Sequence, residues 1–355
     1  MSNAVSPEAM RILTRGDVRA CLADVDPVAT VEDALRLHTA GATVLPAEAY
    51  LRWENSQGAY CRSLGMPGAI GTGSDRTLGM KVINAATSNP QAGIPRAGGF
   101  TALFDNETGR PRLLAEGALI SALRTAAYTM ASLRHLGPQR FESVAFIGCG
   151  NLGLVHAELL LRYFPDVNHL HLFDTRQEPV EALRRAWTGH PGRAASVHDQ
   201  AETAVRSATV VVTLTTSDQP YIQRSWLRPG TFVAHVSLDD VLPEVFGAAQ
   251  AIYVDDRVLV EENPRRILGA LMSDGTVRAD QDGSGRAHVT GTLGEVLSGT
   301  APAIRPDGGI VVSNPFGMSV LDLALMRHVS DIAALKDIGT ITDLTAESPA
   351  DEPKD

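Results

Sequence analysis

Ser143-Val144-Ala145-Phe146-Ile147-Gly148-Cys149-Gly150-Asn151-Leu152-Gly153 decides the fold, and His169-Leu170-His171-Leu172-Phe173-Asp174 completes its reading. Residues 144–147 form a short apolar run suited to a buried parallel strand, and the glycines that end it have the spacing of a dinucleotide fingerprint. Gly148 permits the tight turn, Gly150 lets the backbone approach a pyrophosphate, and Gly153 lets the next helix pack close to the strand. The N-terminus of that helix, an apolar run over 154–164, offers unpaired N–H groups and the positive end of a dipole. Asp174 follows the second strand, about 20 residues past the glycines, where an acid accepts hydrogen bonds from the adenosine ribose. The same acid repels a 2′-phosphate, so the expected cofactor is NAD rather than NADP. Asn151, Leu152, Arg176 and Thr215 complete the expected cofactor set.

Outward from this motif, strand-like runs at 195–198, 209–214, 231–236, 251–254 and 309–313 alternate with helical segments, which specifies a doubly wound parallel sheet. On the N-terminal side, residues 116–136 read as a long amphipathic helix, with Leu119, Leu123, Ala126, Ala127, Met130 and Leu133 recurring near the helical period, and Gly137-Pro138 stops it. Runs at 60–66, 78–84, 99–104 and 111–115 predict a mixed or antiparallel sheet, with a hairpin turn at 105–109. Helical patterns are expected around 15–23 and 30–40, the second with Thr30 as its cap. The helical residues 317–336 are expected to return to this first domain, because the parallel sheet is already complete without them.

The 355 residues suffice for two domains. The expected division is 1–137 with 315–345, 138–314, and a disordered acidic tail at 346–355. A net charge of −10 argues against a nucleic-acid surface. No run approaches a membrane span and no secretory signal is evident, so a cytoplasmic protein is expected. Cys21, Cys61 and Cys149 have no partners at metal-ligand spacing, so neither a metal site nor a disulfide framework is expected. Cys149 reads as a small filler, and His135, His156 and His171 as structural residues.

Residues 79–128 carry Gly79-Met80-Lys81, Asn89-Pro90, Phe104-Asp105-Asn106-Glu107-Thr108-Gly109-Arg110-Pro111 and Ser121-Ala122-Leu123-Arg124-Thr125-Ala126-Ala127. Together with the glycine motif, these resemble the ornithine cyclodeaminase and μ-crystallin family over roughly residues 45–340. That family also includes alanine dehydrogenases, ketimine reductases and non-catalytic nucleotide-dependent binding proteins. Its resemblance implies a Rossmann-type domain beside an α+β substrate-binding and dimerisation domain, hence a homodimer. Thr216-Ser217-Asp218-Gln219-Pro220-Tyr221-Ile222, Trp226-Leu227, Asp240 with Glu244-Val245-Phe246, Val254-Asp255-Asp256 and Asn314-Pro315-Phe316-Gly317-Met318 look like the branch of N-(2-amino-2-carboxyethyl)-glutamate dehydrogenases. That branch oxidises a glutamyl C–N bond with NAD and releases 2,3-diaminopropionate and 2-oxoglutarate. Where ornithine cyclodeaminases place a catalytic glutamate, this chain has Leu64.

The resemblance places Lys81 and Arg124 on a substrate carboxylate, for which a paired cation is also the natural chemistry. Arg62 and Arg96 match the closer branch and would serve a substrate with three carboxylates; they read equally well as surface arginines. Asp239 and Asp240 follow the strand at 231–236 on the ligand-binding side of such a sheet. The family keeps a carboxylate near here as the base that deprotonates the reacting amine, and the choice between the two stays open, as does a plain helix-cap role.

Overall fold

A computed structural model describes residues 9–345; the expected disordered tail lies outside the described residues. The chain divides into two units, one made of the residues up to Thr30, Ala40–Ser121 and the residues from Met318, the other of Val31–Thr39 and Ala122–Gly317.

In the first unit, an eight-stranded sheet contains β1 (Ala9–Leu13), β2 (Thr43–Val44), β3 (Ala49–Glu54), β4 (Tyr60–Ile70), β5 (Thr77–Ala86), β6 (Ala97–Phe104) and β7 (Pro111–Glu116), with Thr340–Asp343 at one edge. All its pairings are antiparallel except β1 with β7. The sheet is therefore mixed, as its turn-separated strand runs indicate. β1 and β3 have no counterpart in the sequence reading; all six residues of β3 are exposed, so no buried face imposes an alternation. The β4–β5 register sets Met66 opposite Lys81, Leu64 opposite Ile83 and Arg62 opposite Ala85. Directly opposite residues share a face, so Arg62, Leu64 and Lys81 do as well. Helix Ser319–Leu335 packs on β4, β5 and β6, the return expected for 317–336.

Helix α1 (Arg15–Leu22) begins with a capping box between Thr14 and Asp17. Helix α2 (Pro27–Thr39) begins earlier than its sequence pattern suggests. Asp26, not Thr30, caps it, accepting from the N–H groups of Val28 and Ala29 at 3.0 Å each. Pro27, whose missing N–H costs nothing at a first position, confirms the earlier start.

The second unit is built on a parallel sheet of β8 (Ser143–Ile147), β9 (His169–Phe173), β10 (Ala194–Val197), β11 (Val210–Thr213), β12 (Phe232–His235), β13 (Ala251–Val254), β14 (Gly291–Thr292) and β15 (Val311–Ser313). The order is β10-β9-β8-β11-β12-β15-β13-β14, with every pairing parallel. β15 inserts between β12 and β13, pairing Val311 with both Phe232 and Ala251. Ala145, Val211, Val233, Ile252 and Val312 from successive strands meet in one buried cluster with Phe246. Strand order reverses between β8 and β11, the switch point at which such sheets bind ligands.

The expected boundary at 137–138 coincides with the end of helix α3 (Ala118–Leu136), whereas the units part within that helix. Thr129 of α3 bonds His156 at 3.0 Å and Ser132 bonds Ser313 at 3.1 Å, which ties the helix beyond Ser121 to the parallel sheet.

Candidate active site

At the switch point the three glycines do three different things. Gly148 has φ of 100°, and a Cβ there would lie 2.7 Å from the carbonyl carbon of Leu214, so both conformation and space require glycine. A Cβ on Gly150 would meet nothing within 4 Å, which leaves the backbone open to a bulky anion, while one on Gly153 would press on Leu183 at 3.2 Å. Asn151 and Leu152 open helix α4 (Asn151–Tyr163) directly behind this turn. These are the features a pyrophosphate at a helix N-terminus needs.

Asp174 stands at the end of β9, its Oδ2 accepting from the Cys149 N–H at 2.8 Å and its Oδ1 from the Arg176 N–H at 3.0 Å. The carboxylate thus also fastens the glycine turn to β9, and its remaining lone pairs can still take ribose hydroxyls. Arg176 is exposed at the start of helix Gln177–Thr188. The Cys149 thiol is buried and its pKa is pushed up to about 12, by burial first and then by Asp174. It is inert packing.

Beyond β11 and β12 lies a polar cluster around Asp240, whose side chain is fully buried. Its Oδ1 accepts from the hydroxyls of Thr215 at 2.5 Å and Tyr221 at 2.8 Å, and its Oδ2 from the hydroxyl of Ser237. The Asp240 N–H donates to His235 Nε2 at 3.0 Å, and His235 Nδ1 lies 2.7 Å from Asn314 Oδ1. Asp239 points elsewhere, into an ion pair with Arg266. Leu238, directly before the two acids, has φ of 74°. Of this cluster, the sequence reading named Thr215, Asp239 and Asp240 as site residues; it missed Tyr221, His235, Ser237, Arg266 and Asn314 in that role. One signal was available for two of them, since Ser237 and Asn314, like Thr215, each lie just past the C-terminal end of a parallel strand.

Arg124 of α3 lies over Gly317, where a Cβ would come within 2.9 Å of its Nη1. Gly317 has φ of 108°, and its N–H donates to Asp255 at 2.6 Å. Asp255 is fully buried, also accepts from Phe316 at 2.9 Å, and has its pKa raised by burial. The Asn314-to-Gly317 loop is thereby clasped from below, and a residue without a side chain leaves room for the guanidinium.

In the other unit, Lys81 Nζ donates to Asp322 at 2.9 Å, with both side chains almost completely buried. The lysine therefore carries its own counter-ion, which no sequence-local pattern reveals. Arg62 and Arg96 are half-buried, and neither has a carboxylate partner among the described residues. The Arg62 Nε is buried with no hydrogen-bond partner. Burial, and after it the charge of Arg62, lowers the Arg96 pKa. Leu64, on the same face, is 9% exposed. The structure thus groups the cofactor residues with Arg124, Asp239 and Asp240 in one unit, and Arg62, Lys81 and Arg96 in the other. Among the described residues no cluster of His, Cys, Asp and Glu could hold a metal ion, and no helix is long and apolar enough to cross a membrane.

The model of the ornithine cyclodeaminase/mu-crystallin family matches residues 9–337. The chain belongs to this family. N-((2S)-2-amino-2-carboxyethyl)-L-glutamate dehydrogenase of Staphylococcus aureus, one curated member, is 30% identical over 320 residues, 89% of this chain and 93% of that protein. The solved structure of CmnK is 55% identical with a TM-score of 0.89, covering 96% of this chain and 100% of that one. An archaeal alanine dehydrogenase dimer with bound NAD is 26% identical with a TM-score of 0.79, covering 95% and 99%. Family members thus include amino-acid dehydrogenases of more than one substrate.

Proposed function

We propose that the chain is an NAD-dependent amino-acid dehydrogenase that acts on N-(2-amino-2-carboxyethyl)-L-glutamate. The substrate's secondary amine is oxidised to an imine at the glutamyl α-carbon; water adds to it, the C–N bond breaks, and 2,3-diaminopropionate and 2-oxoglutarate leave. NAD, held by Gly148, Gly150, Asn151, Leu152, Gly153 and Asp174, supplies the hydride acceptor. The amine must lose its proton before its lone pair can form the imine, so a base is required. Asp239, held by an ion pair with Arg266, is taken as that base, because the Asp240 carboxylate is enclosed by three hydroxyls of its own chain. The family resemblance implies a substrate-carboxylate role for Lys81 and for Arg124, whose guanidinium would supply two parallel donors.

The observation that carries the substrate assignment is the pair Arg62 and Arg96, half-buried without an acid, with Leu64 on the same face as Arg62. A second amine facing these arginines would be an unpaired, desolvated cation, costly by several kcal/mol, whereas further carboxylates would neutralise them. NADH formation is therefore expected with the adduct, with little or no proline from ornithine, followed by NADH absorbance and product chromatography. Arg96→Ala should raise KM for the adduct by roughly tenfold or more through loss of a charged hydrogen bond, and leave the Kd for NAD unchanged. Efficient ornithine or alanine turnover would overturn the assignment. The active form is proposed to be a homodimer.

A further inference from the structure

We infer that Asp240 is a positioning residue, whose buried carboxylate locks the loops after β11 and β12 into the shape that binds the cofactor, and that it is not the base. The inference rests on reading this unit as an NAD site. A base must present a free lone pair to the substrate amine. Asp240 is fully buried, and hydroxyls from Thr215, Tyr221 and Ser237 close around both oxygens.

Its neighbour His235 does not change this. His235 Nε2 lies 4.0 Å from Asp240 Oδ2, but that nitrogen accepts the Asp240 N–H and therefore carries no proton in the folded chain. The other ring nitrogen donates to Asn314 Oδ1. Histidine is thus held as one neutral tautomer, and burial lowers its pKa accordingly. Through these bonds the loops beyond three neighbouring strands, β11, β12 and β15, are keyed to one another.

What this network positions follows from Thr215. The Leu214 carbonyl and the Thr215 nitrogen form the wall that stands 2.7 and 2.9 Å from a Cβ position at Gly148. Fixing the Thr215 hydroxyl on Asp240 fixes that wall against the glycine turn. Tyr221 ends the same loop on the same carboxylate oxygen, and its phenol also feels Asp174. Asp240 therefore holds both ends of residues 215–221.

The test is calorimetric titration of NAD into the full-length protein, paired with steady-state kinetics on the adduct. With Asp240→Asn, the Kd for NAD should rise roughly tenfold, the loss expected when buried hydroxyls lose their charged acceptor. Its kcat at saturating NAD should fall by much less than the roughly 10²–10⁴ that loss of a general base removes. An unchanged Kd with a kcat collapse of that size would overturn the inference and make Asp240 the base. Tyr221→Phe leaves the carboxylate in place and decides the matter if Asp240→Asn fails to fold: a raised Kd with kcat retained supports the inference, and an unchanged Kd overturns it. A wild-type chain that binds no NAD overturns the cofactor reading itself.

Discussion

A lysine and an aspartate that bury each other, as Lys81 and Asp322 do, sit in a balance that breaking one side upsets. Removing one partner leaves an uncompensated charge in the interior, which costs about 3–5 kcal/mol, whereas replacing both with apolar side chains is often neutral. Lys81→Met and Asp322→Leu should therefore each lower the unfolding free energy by about that amount, and the double variant should recover most of it. A double-mutant cycle in urea checks this. A double variant that loses the sum of the two single losses would mean that the ammonium and the carboxylate act independently. Catalysis should behave differently from stability, since the double variant restores the fold but not the cation proposed for the substrate carboxylate. At Asp174, whose carboxylate already holds the Cys149 N–H, a 2′-phosphate would be repelled where ribose hydroxyls are accepted. NAD should bind more tightly than NADP in a titration; equal affinities would contradict that role.

At the scale of elements, what the sequence shows is what is local. The glycine turn was legible because the tasks at Gly148, Gly150 and Gly153 are set within a few residues, and the buried strands because their apolar runs are unbroken. Pairings over long separations were not: β15 enters the sheet between β12 and β13, and Asp322 finds Lys81 across 241 residues. Asp322 did leave one trace, as a lone acid in the apolar run Val320-Leu321-Asp322-Leu323-Ala324. The α3–α4 contact also has a measurable consequence. His156 on α4 accepts from Thr129 of α3 through Nε2 and donates to the Leu152 carbonyl at 2.7 Å through Nδ1. Burial lowers its pKa from 6.5 to about 4. The unfolded chain therefore takes up this proton first as pH falls, so the contribution to stability is present above about pH 6.5 and is lost on the way down to about pH 4. His156→Gln should reduce the loss of unfolding free energy between pH 7 and pH 5 by about 2 kcal/mol. An identical pH dependence in urea denaturation would show that His156 is not the group responsible.

For the whole molecule, the question is what covers the outer face of the mixed sheet. The β3–β4–β5–β6 register puts Leu51, Trp53 and Phe100 on the face opposite Arg62 and Lys81. Leu51 is 62% exposed, Trp53 43% and Phe100 41%, and Ile94 in the loop before β6 is 54% exposed. Aromatic and aliphatic side chains grouped on one face are what a protein interface is built from, and such a face is not left to water without cost. A second copy of the chain is the economical cover, because a two-fold contact pairs one patch with itself and shields the sheet edges as well. Light scattering at micromolar concentration should give twice the chain mass. Trp53→Glu with Phe100→Glu should shift the protein toward the monomer, because each new carboxylate would be buried against its own copy without a partner. Should the double variant remain dimeric, the chains meet through some other surface; a monomeric wild type would leave this face uncovered and defeat the argument.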